Sequence, residues 1–262
     1  MPEPATLAPA APGRAPEAVP VAGPPSRLLS LDVFRGITVA GMLLVNNPGT
    51  WSHVYNPLEH AKWHGWTPTD LIFPFFLFIV GVAMAFSFAV QERKGASRGT
   101  MMGRVAKRSA ILVLLGLVLA AFPFYDLDLA TLRIPGVLQR IGVAFLLASA
   151  VVLFAGPRGQ AAAAALLLLG YWAAMTWVPV PGYGAGSLEP DANLAAYVDR
   201  AVLGTAHLWK SAKTWDPEGL LSTLPAVATV LLGVFAGRWL RSDRSPGRKT
   251  AGMLAAGAAG VA

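Results

Sequence analysis

Six apolar stretches, each of about membrane-spanning length, limit what this chain can fold into. They are Leu31–Asn46, Leu71–Val90, Val105–Phe122, Val137–Ala155, Ala161–Val178 and Leu220–Leu240. A helix needs roughly 20 apolar residues to cross about 30 Å of hydrocarbon. We therefore predict an all-α fold, a polytopic transmembrane helical bundle with about six complete spans plus the start of a seventh at Thr250.

The composition supports a membrane location. Hydrophobic residues make up 55% of the 262 residues and charged residues only 13%, whereas soluble domains average about 45–50% and about 25%. This balance argues against a water-soluble enzyme and against a disordered chain. The sequence has no cysteine, which excludes thiolate nucleophiles, disulfides and cysteine-ligated zinc. We interpret the net charge of +7 as a topology signal and expect no nucleic-acid partner.

Basic residues in the loops predict the orientation of the bundle. Lysines and arginines crowd the loop between the second and third stretches and the segment after the sixth. By the positive-inside rule these loops and the N-terminus are cytoplasmic, and loops 47–70, 124–136 and 180–218 face outward. Residues 1–26 are rich in proline and alanine. They predict a disordered cytoplasmic tail, ahead of a membrane domain over residues 27–262 that is incomplete at its C-terminus.

Charged and amide side chains inside the apolar stretches are candidates for function, because burying them in hydrocarbon is costly. The first stretch carries Asp32, Arg35 and Asn46, and the fourth begins with Gln139 and Arg140 close to its outer end. An alternative interpretation of Arg35 is snorkelling toward the headgroups or a structural pair with Asp32.

The first outward loop combines histidine with a helix start. Its histidines are His53, His60 and His64, on a loop broken by proline and glycine whose spacing does not match a metal site, so no metal is expected. Thr67 followed by proline predicts a helix N-terminus, with Asp70 in the first turn. His60 backed by Asp70 would form a general base or a nucleophile. Alternatively, the histidines are incidental and the tryptophans of the loop form an interfacial aromatic belt.

Three ordered blocks of sequence are spread over residues 27–240. The first comprises Ser30-Leu-Asp-Val-Phe-Arg35-Gly, Leu44-Val-Asn46-Asn47-Pro and His60-Ala-Lys-Trp63-His-Gly65-Trp-Thr67-Pro-Thr-Asp70; the second is Arg133-Ile-Pro-Gly-Val-Leu-Gln139-Arg140; the third joins Asp199-Arg200-Ala-Val-Leu-Gly and His207 to Asp216-Pro-Glu218-Gly-Leu-Leu. In this order the blocks resemble heparan-α-glucosaminide N-acetyltransferase and its bacterial relatives.

The resemblance implies a multi-pass membrane enzyme. Members of the family take acetyl from cytosolic acetyl-CoA, their co-substrate, and place it on a glucosamine amine on the far side of the membrane. The active histidine of the family matches His60, which would either take a proton from the amine or carry the acetyl group. Asp70 would orient the imidazole, and Asn46 would donate a hydrogen bond to the carbonyl or the developing oxyanion.

Other residues of the blocks are candidates for binding the two substrates. Arginine matches phosphate geometry, so coenzyme A phosphates would be held mainly by arginines. The candidates for coenzyme A are Arg35, Arg133, Gln139 and Arg140. They cannot all hold one phosphate cluster, because Arg35 is expected at the cytoplasmic end and the others at the outer end. Asp216 and Glu218 would hold a cationic amino sugar. Alternatively, Asp216 and Pro217 cap the sixth helix.

The resemblance also implies partners and a location. The partners are an amino sugar or glycan acceptor and membrane lipid, the location is the bacterial inner membrane, and homo-oligomer formation is left open. The alternative function is a transporter or flippase for a sugar or envelope precursor, which would show inverted internal repeats that this sequence does not display. A third alternative is a non-catalytic membrane scaffold.

Overall fold

The computed structural model describes residues 28–261, and within this range the regular secondary structure is helical apart from one isolated bridge between Val180 and Gly184. The helices are α1 (Leu29–Asn46), α2 (Ile72–Arg93), α3 (Arg98–Ala120), α4 (Val137–Phe154), α5 (Pro157–Trp177), α6 (Leu194–Leu203), α7 (Thr223–Arg241) and α8 (Pro246–Val261). The predicted all-α class is confirmed. The tail predicted over residues 1–26 lies outside the described residues.

Each predicted apolar stretch coincides with a helix. Five helices are long and apolar enough to cross a membrane, namely α1, α2 with its preceding turn, α4, α5 and α7. Helix α3 is as long as these, but Arg104, Lys107 and Arg108 interrupt its first half, so its passage through the membrane stays a prediction. Helix α8 begins at Pro246, four residues before the predicted start at Thr250.

Small residues bring α2 and α7 into backbone contact. Gly233 and Gly237 on α7 have the four-residue spacing that lets membrane helices approach closely. A Cβ at Gly233 would collide with the carbonyl of Phe78, and one at Gly81 would collide with the carbonyl of Val230. The two helices run parallel, and this dry contact forms the centre of the bundle.

The remaining helices assemble around this pair. Helix α7 also packs against α4 and α5, α3 pairs with α4, and α1 packs mainly against α2. Val230, Leu231 and Val234 are inaccessible to solvent at the centre. Large apolar side chains on the outer faces stay exposed, as a surface in contact with lipid requires.

The three loops predicted to face outward meet at one end of the bundle. Trp63 of the first loop donates to the carbonyl of Leu188 in the third at 2.8 Å, and Ile134 of the second donates to the carbonyl of His207 at 3.0 Å. At the opposite end, Arg241 donates to the carbonyl of Ala85 near the basic loop. The shared end agrees with alternating spans, whereas the side of the membrane stays a prediction.

Helix α6 lies in the third outward loop, which we did not predict to contain a helix. The Asn193 side chain caps its start by accepting from the backbone N–H of Ala196 at 2.9 Å. Gly204 ends it with φ 74° and ψ 156°, a combination with positive φ that essentially only glycine adopts. These two residues are the sequence signal for the helix.

Candidate active site

Asp70 links the histidine of the first outward loop to the start of α2. It lies in a single 3₁₀ turn, Pro68–Leu71, which Thr67 precedes as predicted. One carboxylate oxygen, Oδ1, is 2.6 Å from Nδ1 of His60. The other, Oδ2, accepts from the backbone N–H groups of Thr67 at 2.8 Å and Ala61 at 3.1 Å. The carboxylate therefore closes the segment from residue 60 to residue 70 into one hydrogen-bonded unit.

This arrangement decides which nitrogen of His60 is basic. An ionised carboxylate can only accept hydrogen bonds. Nδ1 of His60 therefore carries the proton and donates a hydrogen bond to Asp70. The lone pair is then on Nε2. Because the side chain of His60 is 72% exposed, the pair can serve as a general base or a nucleophile toward a ligand that reaches this end of the bundle.

Tryptophans hold the histidine-bearing loop against the third loop. The ring of Trp63 lies 4.9 Å from that of Trp215, and Trp215 lies 5.6 Å from Trp209, both in edge-to-face geometry. Trp51 and Trp66 are largely exposed instead. The interpretation as an interfacial aromatic belt therefore still applies to Trp51 and Trp66. The other three tryptophans connect the loops of the candidate site.

A charged cluster lies at the same end, between the second and third loops. Arg133 donates to both carboxylate oxygens of Asp216, at 2.8 and 2.6 Å, and to Glu218 at 2.5 Å. Burial lowers the pKa of Arg133, but the hydrogen bonds and negative charges of Asp216 and Glu218 outweigh it and leave that pKa raised. His207 supports the cluster, since its Nδ1–H donates to the carbonyl of Leu132 at 2.7 Å.

Arg140 and Gln139 extend this cluster into the start of α4. Arg140 donates to the carbonyl of Gly219 at 3.2 Å and to the hydroxyl of Ser222. Its buried Nε has no hydrogen-bond partner within residues 28–261. The Gln139 side chain fills the space above Gly116 and Gly136, where a Cβ would collide with it. Gln139 therefore locks α4 against α3.

Comparison with known proteins decides the family. The family model described as heparan-alpha-glucosaminide N-acetyltransferase, catalytic, matches residues 27–259. The chain belongs to this family. Human heparan-alpha-glucosaminide N-acetyltransferase is 34% identical over 261 aligned positions, and the mouse protein is 31% identical over 263. Each alignment covers 82% of this chain but 39% of the relative, so the chain spans about two fifths of the length of these relatives. The resemblance predicted from the sequence blocks is confirmed.

Within this family member, the structure pairs residues that we expected to bind different substrates. Asp216 and Glu218 were predicted for the amino sugar and Arg133 for coenzyme A, yet Arg133 forms ion pairs with both carboxylates. The side chain of Asp216 is 0% exposed. Burial raises the pKa of Glu218, while the charges of Arg133 and Arg140 oppose this.

The alternative role of Asp216 as a helix cap is wrong. Helix α7 begins at Thr223, seven residues beyond Asp216 and three beyond the start we predicted at Leu220. Asp216 instead accepts from the backbone N–H of Glu218 at 2.9 Å. Its carboxylate therefore stabilises the turn that presents Glu218 to the cluster.

Two predicted site residues on α1 stand apart from these contacts. Arg35 lies 3.5 Å from Asp32, and both side chains are close to half exposed, which matches the alternative of a structural pair. Asn46 donates to the carbonyl of Met42 on its own helix at 2.9 Å. It lies at the same end as Asp70, because α1 runs antiparallel to α2 with Gly41 beside Ile72, but its amide bonds to neither His60 nor Asp70.

A cavity that the sequence did not predict lies between α5, α6 and the third loop. It has a volume of about 350 Å³, and its walls include Trp63, Tyr171, Asp199 and Trp215. Asp199 is 1% exposed and accepts from the backbone N–H of Leu220 at 2.8 Å. Burial raises the pKa of Asp199 from 3.8 to about 6. Its place in the third sequence block was the available signal, although the block alone assigned it no role.

Proposed function

We propose that this protein is a membrane acetyltransferase that moves acetyl from acetyl-CoA to the amine of a glucosamine-type sugar. The human and mouse relatives carry N-acetyltransferase in their names. The observation that carries the proposal is the 2.6 Å hydrogen bond between His60 Nδ1 and Asp70. It leaves Nε2 as an exposed base at the end of the bundle where the three outward loops meet.

The direct route uses His60 as a general base. The amine nitrogen attacks the thioester carbonyl carbon, the C–N bond forms, the C–S bond breaks and coenzyme A leaves as the thiolate. Nε2 of His60 takes the amine proton and returns it to the thiolate. Asp70 stabilises the imidazolium through Nδ1–H. In a second route, Nε2 itself attacks the thioester, and the acetylated histidine then passes the acetyl group to the amine.

The hydrogen bonds that Arg133 and Arg140 already make indicate which of the two could bind a phosphate of coenzyme A. Arg133 donates from Nε and Nη2 to Asp216 and Glu218, so a phosphate would compete with two carboxylates for its charge. Arg140 keeps an unpartnered Nε within the described part of the chain. We therefore favour Arg140 over Arg133 at this end, and keep Arg35 as the candidate at the other end of α1. Asn46 would supply the oxyanion contact only after its amide leaves the carbonyl of Met42.

Loop charge supports the sidedness that we propose. The loop that carries His60 lies at the end opposite the basic loop between α2 and α3, which the positive-inside rule assigns to the cytoplasm. Acetyl from the cytoplasm would then reach an acceptor outside. In a bacterium this is the outer face of the inner membrane.

Sealed proteoliposomes test this proposal. Radiolabelled acetyl-CoA is supplied on the cytoplasmic face and glucosamine on the outer face, for the wild type, His60→Ala and the control His64→Ala. His64 suits the comparison, because it lies on the same loop and is 69% exposed against 72% for His60. We expect label on the sugar for the wild type and the control, and at least a 10³-fold loss for His60→Ala.

Two outcomes would contradict the proposal. A folded His60→Ala protein with normal turnover would remove the histidine from the chemistry. Glucosamine that crosses the bilayer without gaining label would favour the alternative of a transporter. A quenched-flow search for acetylated His60, with and without glucosamine, separates the two chemical routes.

A further inference from the structure

The cavity between α5, α6 and the third outward loop has the shape and lining of a binding site. Its volume of about 350 Å³ is in the range of small-molecule pockets, roughly 300–1,000 Å³. Trp63 and Trp215 contribute their rings to its wall, together with Met175 and Leu188. Trp63 follows His60 by three residues. The cavity therefore adjoins the loop that carries the proposed catalytic histidine.

Asp199 places a carboxylate without an ion pair in the wall of the cavity. Among residues 28–261 its carboxylate forms no ion pair within 4 Å, and its single hydrogen bond is the one from Leu220 to Oδ1. Its Oδ2 lies over Gly219, where a Cβ would collide with it. One oxygen of a buried carboxylate is thus left without a protein donor, and such a group is costly unless it is paired.

Neighbouring side chains make no ion pair with Asp199 in the described part of the chain. Asp216 and Glu218 are held by Arg133, and Arg140 donates to Gly219 and Ser222. Arg200, one residue along α6, turns its guanidinium to the carbonyls of Thr214 and Asp191. Tyr171 is the other titratable group facing this region. Burial raises the pKa of Asp199 by more than the charges of Arg140 and Arg200 lower it. Neither arginine donates to its carboxylate, which can therefore pair with a bound cation.

Aromatic side chains beside Asp199, a carboxylate without an ion pair, match a sugar that carries an amine; Asp216, which also lines the cavity, is held by Arg133. The apolar face of a sugar ring stacks on indole rings, and a protonated amine binds a buried carboxylate by a charge-assisted hydrogen bond. A phosphate or uronate would meet repulsion from Asp199 instead. Resting on the function proposed above, we propose that this cavity binds the acceptor sugar and that Asp199 holds its ammonium group before the proton passes to His60.

Direct binding tests this assignment without requiring turnover. Purified protein without acetyl-CoA is titrated with glucosamine or glucose, and tryptophan fluorescence is recorded. Trp215→Phe identifies the share of the signal that comes from the cavity. Asp199→Asn removes the charge and keeps the shape. Asp128→Asn is the matched control, because Asp128 lines a different cavity at the same end of the bundle. A thermal melt of each variant shows that it is folded.

We expect the wild type and Asp128→Asn to bind glucosamine at least 10-fold more tightly than glucose. Asp199→Asn should lose at least 10-fold in affinity for glucosamine and bind glucose as before. In turnover, it should raise KM for glucosamine and leave KM for acetyl-CoA unchanged. Equal affinity of the wild type for the two sugars, or a wild-type KM in Asp199→Asn, would overturn the inference. Selective binding of glucosamine without any acetylation would support the cavity as an amino-sugar site and would reject the proposed acetyl transfer.

Discussion

Asp70 lies 2.6 Å from Nδ1 of His60, ten residues earlier in the chain, and its second oxygen accepts from the backbone at both ends of that segment. The same carboxylate thus orders the turn that begins α2 and fixes the imidazole. Because the turn continues into a helix that packs on α7, the position of His60 is tied to the rigid centre of the bundle.

Replacing Asp70 with asparagine tests this coupling. The amide can accept from Nδ1–H of His60, but its nitrogen cannot accept from the backbone at Thr67 and Ala61. It also cannot stabilise an imidazolium by charge. We expect kcat for acetyl transfer to fall by about 10²–10⁴-fold, with little change in KM for acetyl-CoA. Steady-state kinetics in detergent measure both constants. The control is Glu59→Gln, an exposed carboxylate of the same loop, and equal kcat values for the two variants would reject the coupling.

Removing Arg133 alone should destabilise the protein more than removing Arg133 and Asp216 together. Arg133→Met leaves Asp216 as a fully buried charge without its guanidinium. Breaking such a pair costs about 3–5 kcal/mol, whereas replacing both partners is often nearly neutral. We expect Arg133→Met to lower Tm by several degrees and Arg133→Met/Asp216→Asn to recover part of the loss, because Glu218 lacks Arg133 in both variants. A double-mutant cycle compares the Tm of the wild type, the two single variants and the double variant. If the losses of Tm in the single variants add up to the loss in the double variant, the two residues are not coupled.

The pairing of Arg133 with Asp216 also marks the limit of the sequence analysis. Apolar runs predicted the helices well, because bilayer thickness fixes their length and composition. Local capping signals predicted Thr67 and Asp70. Arg133 and Asp216, in contrast, are separated by 83 residues, and no local pattern shows which distant carboxylate meets which guanidinium. The substrate roles predicted for them treated each as a free charge, and tertiary contacts overrode that assumption.

The glycine contact between α2 and α7 should tolerate no side chain. Gly233→Ala places a methyl group against the carbonyl of Phe78, so the helices must separate. We expect a loss of stability of at least about 1–3 kcal/mol, the usual cost of overpacking, although alanine is the better helix former. The control is Gly170→Ala on α5, where the nearest atom to the new Cβ lies 4.0 Å away. Thermal unfolding in one detergent compares the two, and equal Tm values would show that the bundle is loosely packed here.

The buried Asp199 should make stability depend on pH in a defined direction. Burial raises its pKa from 3.8 to about 6, so the folded protein binds this proton more tightly than the unfolded chain does. Well below pH 3.8 the group is protonated in both states and costs nothing. As the pH rises through 6, the folded state must ionise a buried carboxylate. At about 1.36 kcal/mol per pKa unit, the loss approaches about 3 kcal/mol at pH 7.

Asp199→Asn should abolish this dependence, because the amide does not titrate. We expect the Tm of the variant to match that of the wild type near pH 3 and to exceed it by several degrees at pH 7, so that the difference between the two curves rises between these values. Saturating glucosamine should narrow the gap at pH 7, since a bound ammonium group compensates the carboxylate only in the wild type. Parallel curves from pH 4 to pH 7 would show that Asp199 keeps an ordinary pKa, and its charge would then cost the fold nothing.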